Sequence, residues 1–194
     1  MHEAIVNAGY RVSVCTPDGK APELRTSDEA AERWVNDNKQ LFSNPLRLEE
    51  VRASDYCGIC TPCGMGAISD LAQSSSLGLL VESFLTANKP ICCVGQGVAA
   101  LCRAGSSADN DWCFAGWNLT ATSNFEQARH DWFGELPLII EDFVKDCGGL
   151  YSSSEEDACH VVVDRNLITG QNPLCTDLAV QNFLWVLESH NSNN

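Results

Sequence analysis

The chain has 194 residues, a length that suits one domain with a full hydrophobic core. Twenty-six acidic against 12 basic residues give a formal charge of −14, which weighs against direct nucleic-acid binding and against an anionic membrane surface. No stretch approaches the roughly 20 apolar residues of a membrane span.

The elements follow in order. His2–Ala8 reads as a helix and Tyr10–Cys15 as an alternating strand, ended by the turn Thr16-Pro-Asp-Gly-Lys20. An open α/β sheet normally starts with a strand, so its first strand is expected to be missing here. Thr26-Ser-Asp-Glu29 is a capping-box pattern opening a helix to about Asn38, with Ala30, Trp34 and Val35 on one face. Leu48–Val51 is a short helical turn. Ser54–Thr61 is a strand, and Pro62-Cys-Gly-Met-Gly66 is a loop at its end. Ile68–Ala72 and Leu77–Ala87 are helices, the second with Leu77, Leu80, Val81 and Phe84 inward.

Ser106–Asp111 is a polar loop, and Trp112–Phe114 and Trp117–Thr120 are strand-like. Ser123 caps a helix that carries Glu126 and His130. Leu136–Cys147 is a helix stopped by Gly148-Gly149. His160–Asp164 and Leu167–Thr169 are a strand and its return, and Cys175–Glu188 is the closing helix. This alternation predicts an α/β fold with a mainly parallel sheet, in one domain over residues 1–188 with a polar tail over 189–194.

The chain is organised around Lys89-Pro-Ile-Cys-Cys-Val-Gly-Gln-Gly-Val-Ala-Ala-Leu101. A buried strand runs through a glycine turn straight into a helix, the geometry of a nucleophile elbow. Its tip is Gly95, which is expected to have positive φ and which carries no nucleophile. The eleven cysteines are odd in number, and without a secretory leader they are expected as reduced thiols. Cys57-x-x-Cys60-x-x-Cys63 has metal-like spacing, but residues three apart on a strand point to opposite faces, so no metal site is expected. Cys93, two residues before the tip, reads as a core thiol. Gly95-Gln-Gly97 is too short for a dinucleotide fingerprint, and no cofactor is expected.

Together with Leu119-Thr-Ala-Thr-Ser-Asn-Phe-Glu126, Leu136–Gly148 and Asp164-Arg-Asn-Leu-Ile-Thr-Gly-Gln-Asn-Pro173, the loop and the elbow resemble the PfpI superfamily. That superfamily has the class I glutamine amidotransferase-like fold and includes Parkinson disease protein 7. Within it, the resemblance is to the branch of glutamine amidotransferase-like class 1 domain-containing proteins. It implies a flavodoxin-like three-layer sandwich. The family's cysteine position falls on Gly95, its elbow histidine on Gln96, its loop histidine on Met65 and a loop glycine on Cys63. Glu126 keeps the place of the supporting acid.

A thiolate needs a base or a cationic neighbour, and Gln96 supplies neither. A pseudoenzyme with a vestigial site (Gly95, Gln96, Met65, Glu126) is therefore expected. Cys63 is its candidate reactive thiol. The alternatives are a hydrolase, glyoxalase or deglycase using Cys63 or a water positioned by Glu126, and a sensor that kept the pocket alone. The resemblance further implies a cytoplasmic protein of early endosomes, a homo-oligomer with other protein subunits in the Rab-effector FERRY complex of mRNA transport. No direct contact with nucleic acid or membrane is expected.

Overall fold

Residues 1–24, 26, 28–105 and 112–191 are described by the structure, a computed structural model. In chain order its elements are α1 (His2–Asn7), β1 (Cys15–Thr16), α2 (Glu29–Asp37), α3 (Lys39–Ser43), β2 (Leu46–Arg47), β3 (Ile59–Thr61), α4 (Ser75–Thr86) and β4 (Ile91–Val94). Then come β5 (Asn118–Leu119), α5 (Asn124–Ala128), α6 (Ile140–Asp146), β6 (Leu150–Tyr151), β7 (Val161–Asp164), β8 (Leu167–Gly170) and α7 (Thr176–Asn191). The central sheet has the order β3-β4-β8-β7. Its pairs are parallel except the β7–β8 hairpin, and β1–β2 and β5–β6 are separate parallel pairs. This is the flavodoxin-like α/β architecture expected of a class I glutamine amidotransferase-like fold.

Strand β4 carries the sheet's two-faced core. All four of its residues are buried, and they alternate as the pleat requires. Ile91 and Cys93 enter one apolar cluster with Leu77, Leu80, Val81 and Phe84 of α4 and Ile140 and Val144 of α6. Cys92 and Val94 enter the other with Ile5 of α1 and Ala179, Val180, Phe183 and Leu187 of α7. Helix α4 starts where the Ser74 hydroxyl accepts the Leu77 N–H at 3.2 Å. It buries one stripe at helical spacing. A Cβ at Gly78 would meet the Arg103 carbonyl oxygen, so this glycine lets α4 approach the segment that follows the elbow.

Several predicted elements are shorter than expected. Of the predicted strand Tyr10–Cys15 only Cys15 joins a ladder, which runs on to Thr16 of the predicted turn against the short segment Leu46–Arg47. Ala53–Asp55 is a 3₁₀ turn, and pairing with β4 begins at Ile59, whose N–H reaches the Pro90 carbonyl at 3.1 Å. Cys57 therefore lies outside the strand and is exposed. Ala67–Leu71 is a π-helical turn. Of the strand-like segments near Trp112 and Trp117, only β5 pairs. Helix α6 begins at Ile140 because Pro137 holds Leu136 extended and Ile139 is still extended. Helix α7 continues past Glu188 to Asn191. The predicted loop 106–111, Ser27 and residues 192–194 lie outside the described residues.

Helix α2 is capped by Asp28, two residues later than the Thr26 of the predicted capping box, through a 2.9 Å bond from the Ala31 N–H. No residue of α2 is buried. Asp28→Ala is therefore expected to act locally, at about 1 kcal/mol. Amide exchange over 30–33 should speed up several-fold while the global denaturation midpoint stays unchanged. A shifted midpoint would show that α2 is coupled to the core. Among the described residues no helix is long and apolar enough to cross a membrane.

Candidate functional site

The elbow lies at the C-terminal end of β4, the position where open α/β sheets place their sites. Gly95 has φ +56, in the left-handed region, as the elbow reading requires. A seven-residue 3₁₀ run, Gly95–Leu101, follows in place of the expected α-helix. Gly97 is held against the loop after β3. A Cβ there would lie 2.5 Å from both the Thr61 and Pro62 carbonyl oxygens, and the Thr61 hydroxyl donates to the Gly97 carbonyl at 3.0 Å. The loop Pro62–Gly66 and the elbow thus form one packed unit.

Cys63 fills the tip. Its thiol donates to Gln96 Oε1 at 2.7 Å. A Cβ added to Gly95 would lie 2.5 Å from Cys63 Sγ, 3.2 Å from Cys63 Cβ and 3.3 Å from Thr122 Oγ1. The space a side chain at the tip would enter is occupied by the Cys63 sulfur. Burial pushes the Cys63 thiol above its ordinary value, the main-chain N–H of Gln96 opposes this, and the Glu126 charge adds to it. Cys93 is fully buried on β4, and desolvation pushes its thiol up to about 12. Met65, from the same loop, is 40% exposed at the surface. Thr122 Oγ1 is buried and has no hydrogen-bond partner among the described residues.

Glu126 is buried and fully engaged. Ser123 caps α5, and Glu126 closes the capping box, with Oε2 accepting from the Ser123 N–H at 3.1 Å and hydroxyl at 3.2 Å. Its Oε1 accepts from the Asp157 N–H at 3.2 Å and from Asn172 Nδ2 at 2.7 Å. The carboxylate ties α5 to two loops that flank the elbow. His130 lies beyond the end of α5 and stacks on Trp132, with ring centroids 4.6 Å apart. The other histidines lie away from the tip: His2 packs edge-on to Trp34, His160 shares a hydrogen bond with Ser152, and His190 is in the last turn of α7.

The structure therefore brings Gly95, Gln96 and Cys63 into contact and sets Glu126 in a separate network beside them. Asn172 and Asp157, which hold Glu126, were not singled out from the sequence. The signal for Asn172 was its place in the Gly170-Gln-Asn-Pro173 motif. Asp157 gave none, because only its main-chain N–H is used. Among the described residues no group of acidic, cysteine and histidine side chains could hold a metal ion.

The model of the DJ-1/PfpI family matches residues 1–180. The chain belongs to the DJ-1/PfpI family. It is similar to glutamine amidotransferase-like class 1 domain-containing protein 1 of Bos taurus, at 44% identity over 186 residues, 95% of this chain and 84% of the relative. The Homo sapiens protein of that name is 43% identical over the same shares. The crystal structure of glyoxalase III from Candida albicans superposes with a TM-score of 0.80 at 16% identity, over 95% of this chain and 84% of that one, a likeness of fold. In a DJ-1/PfpI chain, a tip without a side chain and a thiol filling its place are the features that decide what chemistry the cleft can support.

Proposed function

We propose that this chain is a non-catalytic member of the DJ-1/PfpI family, a folded subunit that presents surfaces for assembly. The observation that carries this reading is the 2.5 Å approach between a Gly95 Cβ and Cys63 Sγ. A side chain at the tip collides with Cys63 where its sulfur now lies, so the two are held together only if Cys63 turns away. Cys63 itself is half-buried and bonded to a side chain that takes no proton near pH 7, so that side chain does not generate the thiolate.

Assembly is supported by the outer face of α7 and the turn before it. Leu174 is 64% exposed, Leu178 44% and Trp185 66%, at helical spacing along one side. The proposed setting is the one implied by the family branch: a cytoplasmic protein at early endosomes, self-associated and joined to other subunits of the FERRY Rab-effector complex in mRNA transport. At −14 the chain suits basic protein partners rather than RNA.

The test is turnover. Wild type is expected to be silent against methylglyoxal and against a panel of small esters and amides. Restoring the tip takes three changes, Cys63→Gly, Gly95→Cys and Gln96→His, because the incoming side chain needs the space Cys63 holds. The triple variant is expected to gain activity, and Gly95→Cys with Gln96→His alone is not. Co-purification of the tagged chain with the complex on endosomal membranes tests the setting, and recovery of the chain free of those subunits would sink it.

The second reading, a residual hydrolase, glyoxalase or deglycase, draws on the fold shared with glyoxalase III and on the thiol at the tip. It requires wild-type turnover that Cys63→Ser or Glu126→Gln abolishes.

A further inference from the structure

We infer that Cys159 and Cys175 are a covalent modification site: a dithiol that exchanges with small-molecule disulfides to form an internal disulfide. The two residues come from different elements. Cys159 precedes β7 and is exposed, and Cys175 is fully buried immediately before α7. The Cys175 sulfur lies on the backbone next to Cys159. It is 3.3 Å from the His160 N–H nitrogen, which donates to it, and 3.2 Å from the His160 carbonyl oxygen, which accepts from it. Burial and the neighbouring Cys175 push the Cys159 thiol above its ordinary value.

Oxidation here leaves no buried group stranded. The Cys175 S–H has two acceptors, the His160 carbonyl and Asn172 Oδ1. The first also accepts the Gln171 N–H at 2.9 Å, and the second accepts the Leu174 N–H at 3.1 Å. Losing the thiol proton therefore does not incur the desolvation penalty of an unpaired acceptor. Other close thiols lack this combination. Cys60 and Cys92 are in register on neighbouring strands, but neither is exposed to meet a reagent. Cys102 is buried, and desolvation pushes its thiol up to about 12.

The exchange has two balanced steps. The Cys159 sulfur attacks one sulfur of the small disulfide. The S–S bond breaks, and the departing half leaves as a thiolate that takes up the proton Cys159 gave up. Cys175 then attacks the Cys159 sulfur in the mixed disulfide and releases the second half as a thiol. Two protein thiols are oxidised, and one small disulfide is reduced to two thiols. The buried sulfur acts second because only the exposed one can meet the reagent.

The experiment uses the full chain carrying Cys57→Ser, which removes the other exposed thiol. It is incubated with oxidised glutathione, digested without reductant and analysed by mass spectrometry. The expected product has lost the two thiol hydrogens and yields linked peptides containing Cys159 and Cys175. Adding Cys175→Ser is expected to stop the reaction at a stable glutathione adduct on Cys159. A Cys159 adduct that persists while Cys175 stays free in the parent protein overturns the proposal. So does a chain in which Cys159 does not react, or in which Cys175 links to a different cysteine.

Discussion

Gly95→Ala is expected to destabilise the protein by about 2–4 kcal/mol, of which about 1 kcal/mol comes from holding a β-carbon at positive φ and about 1–3 kcal/mol from overpacking. The overpacking is specific: the new atom would sit 2.5 Å from Cys63 Sγ. The two contributions can be separated. In the wild-type background Cys63→Ala removes a well-packed sulfur and should cost about 1 kcal/mol. In the Gly95→Ala background the same change relieves the clash and should be neutral or stabilising. Urea midpoints of the four proteins give the coupling, expected at 1 kcal/mol or more of the favourable sign. Strictly additive costs would mean that the strain at residue 95 comes from φ alone and that Cys63 is incidental to it.

Glu126→Ala is expected to be at least as damaging, at about 3–5 kcal/mol. It leaves the Asp157 N–H without its acceptor and Asn172 Nδ2 with only the Ala158 carbonyl, and opens the capping box of α5. Glu126→Gln keeps the shape but turns an amide NH₂ towards one pair of donors, and should cost about 1–3 kcal/mol. The signature is local as well as global: the Asp157 amide should lose its exchange protection in both variants before the core does. A Glu126→Gln protein of unchanged stability that had lost a measurable turnover would instead make the carboxylate a chemical group.

The sequence carried the fold's large features because they depend on local chemistry. Four apolar residues followed by Gly-Gln-Gly define β4 and its turn, and the stripe Leu77, Leu80, Val81 and Phe84 defines α4. What it did not carry depends on partners. Tyr10–Val14 alternates like a strand, yet a strand exists only where a neighbour completes its ladder. Pro137 outweighed the apolar periodicity that extended α6 towards Leu136. At the site, the absence of a side chain at the tip was plain in the residue itself. The occupation of that space by Cys63 was not, because it joins positions far apart in the chain through a sub-ångström question of packing.

That contact also orders the steps by which such a site is lost or regained. With both positions filled the site is strained, so a change at 95 and a change at 63 are not equivalent in their order. Going from a filled tip to this one, the unstrained order is the glycine at 95 first and the cysteine at 63 afterwards. Going back, emptying 63 before refilling 95 avoids the collision. Once the thiol has settled in, a side chain restored at 95 meets its sulfur unless Cys63 moves. The vacancy is locked from the neighbouring loop, and the two positions have to be read as one character when chains with this elbow are compared.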